Sequence, residues 1–321
     1  FTPGQLGNPK LGPERSREVE AGFEAGLFGG RVGIDFTYYN QRTFDALIPV
    51  RFPPSQGFLS TQLENVGEIK NTGVELRLDV DLIRRPNFAW SGRLDYATVN
   101  SEAVDLGGEV ITVQTFGRTY IREGYPVPAI FGEKIINPNE YADPIIVRDT
   151  FIGSAYPTKT IGLGTSLTLY RDISIDALGE FKLGGHMVNG NGYQNSRRGA
   201  WPACYEIQRK ARAGDLSDVT ALMRARCALD GGPIAPTYDA WIESTDFFRL
   251  RSIGVTYRLP PGLIPGTSSA SLRLAGRNLW TKTDYSGVDP ELDDYRESLA
   301  RRDYYVLPTY RSFLATLRVS F

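Results

Sequence analysis

Residues 74–82 read VELRLDVDL, with Val74, Leu76, Leu78, Val80 and Leu82 set against Glu75, Arg77, Asp79 and Asp81. Strict alternation is the period of a β-strand, whose successive side chains point to opposite faces; a helix would repeat its face every three or four residues. One face of this strand is wholly aliphatic and the other wholly charged. The aliphatic face needs a protein core or a lipid bilayer against it, and the charged face needs water or counter-ions.

The pattern recurs along the chain. Upstream, Val19, Ala21, Phe23, Ala25 and Leu27 alternate with Glu18, Glu20, Gly22, Glu24 and Gly26. After the turn Phe28-Gly29-Gly30, Val32, Ile34, Phe36 and Tyr38 alternate with Gly33, Asp35, Thr37 and Tyr39. Further strands are expected at about 87–105, 159–171, 173–189, 243–259, 268–281 and 309–321, nine in all. Within 243–259 the phase slips: Phe248 and Leu250 are even, whereas Ile253, Val255, Tyr257 and Leu259 are odd. One extra residue near Arg251-Ser252, a β-bulge, restores a single apolar face; a strand that begins only at Ser252 is the alternative. The 20 prolines fall outside these spans or at their borders. Central strands demand this, because proline cannot donate to a ladder.

The connections sort by length. Phe28-Gly29-Gly30, Arg84-Arg85-Pro86, Arg171-Asp172 and Pro260 to Thr267 are short. They alternate with long ones at about 48–64, 106–158, 190–242 and 282–308. Long structureless loops are unusual inside compact domains. Membrane barrels, in contrast, have short turns at one end and long loops at the other. A β-sandwich also has one apolar and one polar face per strand, but it has no reason to sort its loops by end. Aromatics near strand ends (Tyr38, Tyr39, Trp90, Tyr96, Tyr170, Tyr257, Trp280, Tyr310) suit interfacial girdles. The expected fold is therefore all-β: an antiparallel transmembrane barrel segment of about nine strands with long extracellular loops.

Composition narrows the function. A net charge of −1 gives no reason to expect a nucleic-acid partner. No apolar run is long enough for a spanning helix, which leaves spanning strands open. One histidine and two cysteines exclude most metal cages. No motif supplies a nucleophile with a base and an orienting partner, so no enzyme, catalytic residue or cofactor is expected. His186 shares parity with Asp176, Glu180 and Lys182 and reads as a wall residue on the wet face. No leader is recognisable at Phe1, so the chain reads as a mature protein or a piece of one.

Several stretches also resemble a known family. Asn8-Pro9-Lys10-Leu11-Gly12-Pro13-Glu14, leading into a strand, resembles a segment of TonB-dependent outer-membrane receptors. Asn65-Val66-Gly67-Glu68 and Asn71-Thr72-Gly73-Val74-Glu75-Leu76 look like their SusC/RagA branch. So do Asp246-Phe247-Phe248-Arg249-Leu250-Arg251, Gly276-Arg277-Asn278-Leu279 and Asp284-Tyr285-Ser286-Gly287-Val288-Asp289-Pro290-Glu291. The resemblance spans essentially residues 1–321 and implies the C-terminal part of a receptor barrel. An N-terminal plug, a TonB box and the earlier strands would then lie outside this sequence, and the nine strands would form an open arc of a larger barrel. It further implies a bacterial outer-membrane importer of oligosaccharides or peptides, partnered by lipid, a SusD-like surface lipoprotein and TonB. A terminal phenylalanine, here Phe321, is similar to the signal by which such barrels are recognised for assembly; it could also simply anchor the strand end. A barrel enzyme and a β-sandwich adhesion module are the competing readings.

The long loops carry the candidate site residues. Cys204 and Cys227 both fall in 190–242, and an oxidising compartment favours a disulfide between them. Between them Leu216, Val219, Leu222 and Met223 recur at helical spacing, with Ser217 or Asp215 as a cap and Gly231 beyond the end. Trp201, Tyr205, Tyr238, Trp241, Tyr285 and Tyr295 could stack on a sugar face, although loop packing explains them equally well. Asp284, Asp289, Glu291, Asp293 and Asp294 carry oxygens suited to calcium but lack the EF-hand spacing, so a solvated acidic loop is the simpler reading.

Overall fold

The computed structural model describes residues 7–51, 61–114, 116–229, 237–292 and 301–321. It starts with β1 (Arg15–Leu27), β2 (Val32–Arg51), β3 (Thr61–Arg85) and β4 (Phe88–Thr98), and β5 (Asn100–Asp105) then folds back on β3. A separate small sheet follows: β6 (Ile111–Gln114), β7 (Thr119–Ile121), β8 (Ala129–Ile135) and β9 (Ile146–Ser154). β10 (Lys159–Leu169) and β11 (Ile173–Leu183) return to the main sheet. Next come β12 (His186–Asn189), the helices α1 (Gly190–Arg197), α2 (Tyr205–Ala213) and α3 (Ala221–Arg226), and β13 (Ile242–Ser244). β14 (Phe247–Arg258), β15 (Ser269–Thr283), β16 (Arg302–Asp303) and β17 (Ser312–Ser320) complete the chain.

The wall runs β1-β2-β3-β4-β10-β11-β14-β15-β17, every neighbour antiparallel. Register explains the sequence alternation directly. One row across the strands reads Phe23, Phe36, Leu76, Tyr96, Ile161, Phe181 and Phe248. The next row reads Glu24, Asp35, Arg77, Asp95, Gly162, Glu180 and Arg249. A one-residue slip in any strand would place a charge in the apolar row, so the two faces specify the register. At the phase break, Leu178 pairs with Ser252 and Gly179 with Leu250, which leaves Arg251 as the extra, bulged residue. Among the described residues no ladder joins β1 to β17, and the sheet is an open arc.

The charged face is concave, because residues from β2 (Asp35, Thr37) to β14 (Arg251) line one cavity of about 710 Å³. The apolar face is bare: Phe23, Trp90, Val255, Leu274 and Phe313 are all exposed. A sandwich would pack that face against a second sheet. The buried apolar clusters lie instead at the long-loop end, as Ile48, Ala103, Leu106 and Ile121 in one and Ile135, Ala221, Ala225 and Ala240 in another. This arrangement overturns the sandwich reading.

Several expectations about the loops and strand ends need correction. Both ends of the stretch 48–64 are strand, because β2 continues to Arg51 and β3 begins at Thr61; residues 52–60 lie outside the described residues. This hairpin outruns the wall because Ile48 and Val66 pack on the cluster around Leu106. The segment 106–158 folds its own sheet rather than a plain loop, and β15 extends to Thr283. Expected strand 87–105 is interrupted at Val99, whose N–H donates to Thr158 O instead of a ladder partner. Opposite that break, a Cβ on Gly73 would lie 2.0 Å from Thr98 O and 2.5 Å from Tyr39 Oη, so only glycine admits this crossing. Expected strand 173–189 bends at Gly184, whose φ of 84° starts the separate β12. In the 190–242 segment the expected helix around Leu216–Met223 is confined to α3, Ala221–Arg226, with Thr220 as its N-cap residue. Asp215 does not cap it, because its carboxylate accepts from Ser217 N and Oγ. Helix α2, ended by Gly214 with φ 75°, was not anticipated. Gly231 lies outside the described residues.

Candidate functional site

The concave face is built from cross-strand ion pairs that the register places side by side. Arg77 Nε donates to Asp95 at 2.8 Å, and Arg93 Nε donates to Asp79 at 2.6 Å. Arg273 forks onto Asp176 from two strands away. These pairs are half exposed, as suits a water-filled interior, and each contributes little to stability.

At the long-loop rim the charges converge. Arg249 and Arg251 reach the concave face at the bulge in β14, and the loop after β15 brings Asp289 and Glu291 against them. Arg249 donates to Asp289 and Glu291, and Arg251 donates to Glu180 and Glu291. Lys182 Nζ adds a bond to Glu291 at 2.8 Å. Burial alone would raise the Glu291 carboxyl, but the bonds from Arg251 and Lys182 prevail and hold it at about 2. The two sequence stretches Asp246–Arg251 and Asp284–Glu291 are thus halves of one ion cluster, a link sequence reading missed. The phase break at Arg251 was the signal that could have found it. Asp289 is buried and both Asp289 and Glu291 are bonded to arginines, a correction to the solvated-loop reading. Asp293 and Asp294 lie outside the described residues.

Behind the rim, a buried polar core fixes the loops. Asp303 accepts from Asn191 Nδ2 at 2.7 Å, Val288 N at 3.2 Å and Tyr285 Oη at 3.2 Å. Burial raises the Asp303 carboxyl above its ordinary range and, with the Asp303 and Glu243 charges, pushes the Tyr285 phenol well up. Arg301 donates to Pro290 O at 2.6 Å, Ala155 O at 2.9 Å and Thr245 Oγ1 at 3.0 Å, tying three long connections together.

The aromatic candidates separate. Trp241 is 2% exposed and Tyr285 6%, so loop packing, the second of the two readings, accounts for both. Trp241 is buried because Gly192 leaves room for it: a Cβ there would lie 2.2 Å from the indole. Trp201 meets Trp241 edge-on at 5.8 Å, and Tyr238 meets Tyr193 edge-on at 4.7 Å. Burial pushes the Tyr238 phenol up to about 12, and its hydroxyl donates to Phe116 O. Tyr205 is exposed at the start of α2. Tyr295 lies outside the described residues. Cys204 and Cys227 are bonded, with Cα atoms 5.1 Å apart, and Gln208 bridges Ser196 O and Cys227 O beside them. His186 packs against Gly153 in the loop region rather than on the wet wall, and burial lowers its imidazole pKa. Phe321 follows the end of β17 and is fully open.

This geometry has close counterparts. Residues 1–279 match the family described as TonB dependent receptor-like, beta-barrel. TonB-dependent receptor P26 of Formosa agariphila is 26% identical over 329 residues, covering 91% of this chain and 32% of the receptor. TonB-dependent receptor SusC of Bacteroides thetaiotaomicron is 26% identical over 101 residues, 32% of this chain and 10% of SusC. In fold, the RagAB peptide importer in its closed-closed state superposes with a TM-score of 0.80 at 23% identity, over 99% of this chain and 36% of that one. The chain thus spans about a third of the length of P26 and of the RagAB chain. An open antiparallel wall, apolar outside and charged within, with folded lobes at one end, is a piece of an outer-membrane β-barrel, and the chain belongs to the TonB-dependent receptor β-barrel family.

Proposed function

We propose that residues 1–321 form the C-terminal barrel wall and extracellular loops of a SusC/RagA-type importer of large nutrients. The observation that carries this reading is the sorting of the wall: bare apolar convex face, ion-paired concave face, and folded lobes at only one end. The remaining strands, supplied by the rest of the receptor, would satisfy the open edges of β1 and β17, which lipid cannot solvate. Transport, not catalysis, is the function, with TonB supplying energy through the missing N-terminal part. A SusD-like lipoprotein would cap the loop end. Likeness to the RagAB peptide importer favours peptides over oligosaccharides as cargo. Deleting the full-length gene should abolish uptake of labelled oligopeptides and leave labelled oligosaccharide uptake intact, and a protonophore should mimic the deletion. Uptake unchanged for both cargo classes would defeat the import reading.

A further inference from the structure

The short-connection end of the wall has an unusual charge balance. Its turns and strand ends carry Arg31, Arg84, Arg85, Arg171, Arg258 and Arg318, and within the turns themselves the acid is Asp172. Arg84 is matched by Asp81 on the concave side. Arg85 is not: it pairs in register with Phe88, on the same face as Ile83 and Trp90, and so lies on the apolar face just where that face ends. Arg31, Arg85 and Arg171 are exposed, and none forms an ion pair among the described residues.

Two adjacent turns are locked together at this point. Arg171 Nε donates to Pro86 O at 3.1 Å, and Tyr170 N donates to Asn87 O at 2.8 Å. The β10–β11 turn is closed by Asp172 N on Leu169 O at 3.2 Å. Its two central residues, Tyr170 and Arg171, have φ of 48° and 66°. Such a turn is easiest with Asn-Gly, and side chains here hold a left-handed backbone at a cost. Placing a tyrosine and an arginine in it is unfavourable for folding and so calls for a use of those side chains. Tyr170 is 74% exposed, and Phe28, Phe88 and Trp90 are exposed at the same end.

We infer that the paired turns Arg84–Asn87 and Tyr170–Asp172 seat the phosphate headgroup of an anionic glycerophospholipid. Arg85 and Arg171 supply forked donors to the phosphate, and the cationic excess outweighs Asp172. Tyr170, Phe88 and Trp90 lie at the headgroup boundary, where aromatic rings partition. A neutral or zwitterionic lipid would leave both guanidinium groups without a net counter-charge. This inference rests on the reading of the wall as membrane-spanning, which puts the short turns at the periplasmic leaflet.

The test is native mass spectrometry of the detergent-purified full-length receptor, with phosphatidylglycerol and phosphatidylcholine as probes. The unaltered receptor should retain phosphatidylglycerol about thirtyfold better, as expected for two arginines near an anionic headgroup. R85Q/R171Q should lose the preference, while R85K/R171K should keep part of it. Tyr170→Gly, which relaxes the turn backbone and cannot be excused by misfolding, should still reduce retention. Equal retention of the two lipids, or a preference unchanged in R85Q/R171Q, overturns the inference. Displacement of phosphatidylglycerol by equimolar inorganic phosphate does so too, because it marks a free-anion site. A receptor that stays monomeric without detergent defeats the membrane reading itself, whereas a detergent-dependent receptor with no lipid preference defeats only the headgroup site.

Discussion

Arg249 of β14 and Asp289 of the loop after β15 form a hydrogen-bonded ion pair with side chains only 3% and 6% exposed. A buried pair of this kind is worth little against an apolar replacement, but removing one partner strands the other charge. Arg249→Met should therefore destabilise the loop by about 3–5 kcal/mol. Hydrogen exchange over residues 284–292 of the full-length receptor reports this directly. The double variant R249M/D289L should recover part of the loss, and equal exchange in both variants would contradict a buried pair.

The same cluster should respond to acid. Glu291 titrates at about 2 in the folded protein, below the ordinary glutamate value of about 4.3. Its contribution is therefore fully present above pH ~4.3 and is lost as pH falls through ~2, because the unfolded state binds the proton first. Exchange protection of the 284–292 loop should fall across that window, and Glu291→Gln should flatten the dependence while lowering protection at neutral pH.

Facing on the wall is tested on β3. Leu78 lies in the apolar row with Ile34 and Leu94, and Arg77 lies on the concave face against Asp95. Leu78→Arg should cost about 2–4 kcal/mol near the bilayer midplane, read as loss of heat-modifiable, folded receptor. Arg77→Gln should leave folding nearly unchanged. Comparable losses from the two substitutions would contradict a lipid-facing Leu78.

Gly73 makes a sharper steric prediction. Because its Cβ would collide with Thr98 O and Tyr39 Oη, Gly73→Val should lower stability by at least about 1–3 kcal/mol, the range for overpacking. Adding Tyr39→Phe removes the hydroxyl but not the carbonyl, so the rescue measured in a double-mutant cycle should be partial.

The Cys204–Cys227 bond spans 23 residues and includes α2 and α3. On the chain-entropy account, Cys204→Ala with Cys227→Ala should cost about 3 kcal/mol. Limited trypsinolysis should then cut within 205–213, and barrel assembly should be unaffected. Uncut α2 in the double variant would mean that Gln208 and the surrounding packing suffice to hold the segment.

What the residue order determined by itself was the wall. Strand existence, the face of each side chain, the sorting of short and long connections and the bulge at Arg251 all follow from spacing between near neighbours. A period of two is a local property, and each strand displays it without reference to the others. Family-like stretches such as Asn71–Leu76 were equally legible, and their reason, a glycine crossed by Tyr39 and Thr98, was not. Tertiary structure alone decided the loop end. Trp241 is buried because Gly192 makes room for it, and Tyr285 because Asp303 accepts its hydroxyl. Asp289 and Glu291 are counter-ions rather than solvated acids because a bulge forty residues earlier presents two arginines to them. Contacts such as Arg118 with Asp239, or Arg301 with Ala155, join positions more than a hundred residues apart. No periodicity records such pairings, because their partners meet only after the wall has brought the ends of its strands together.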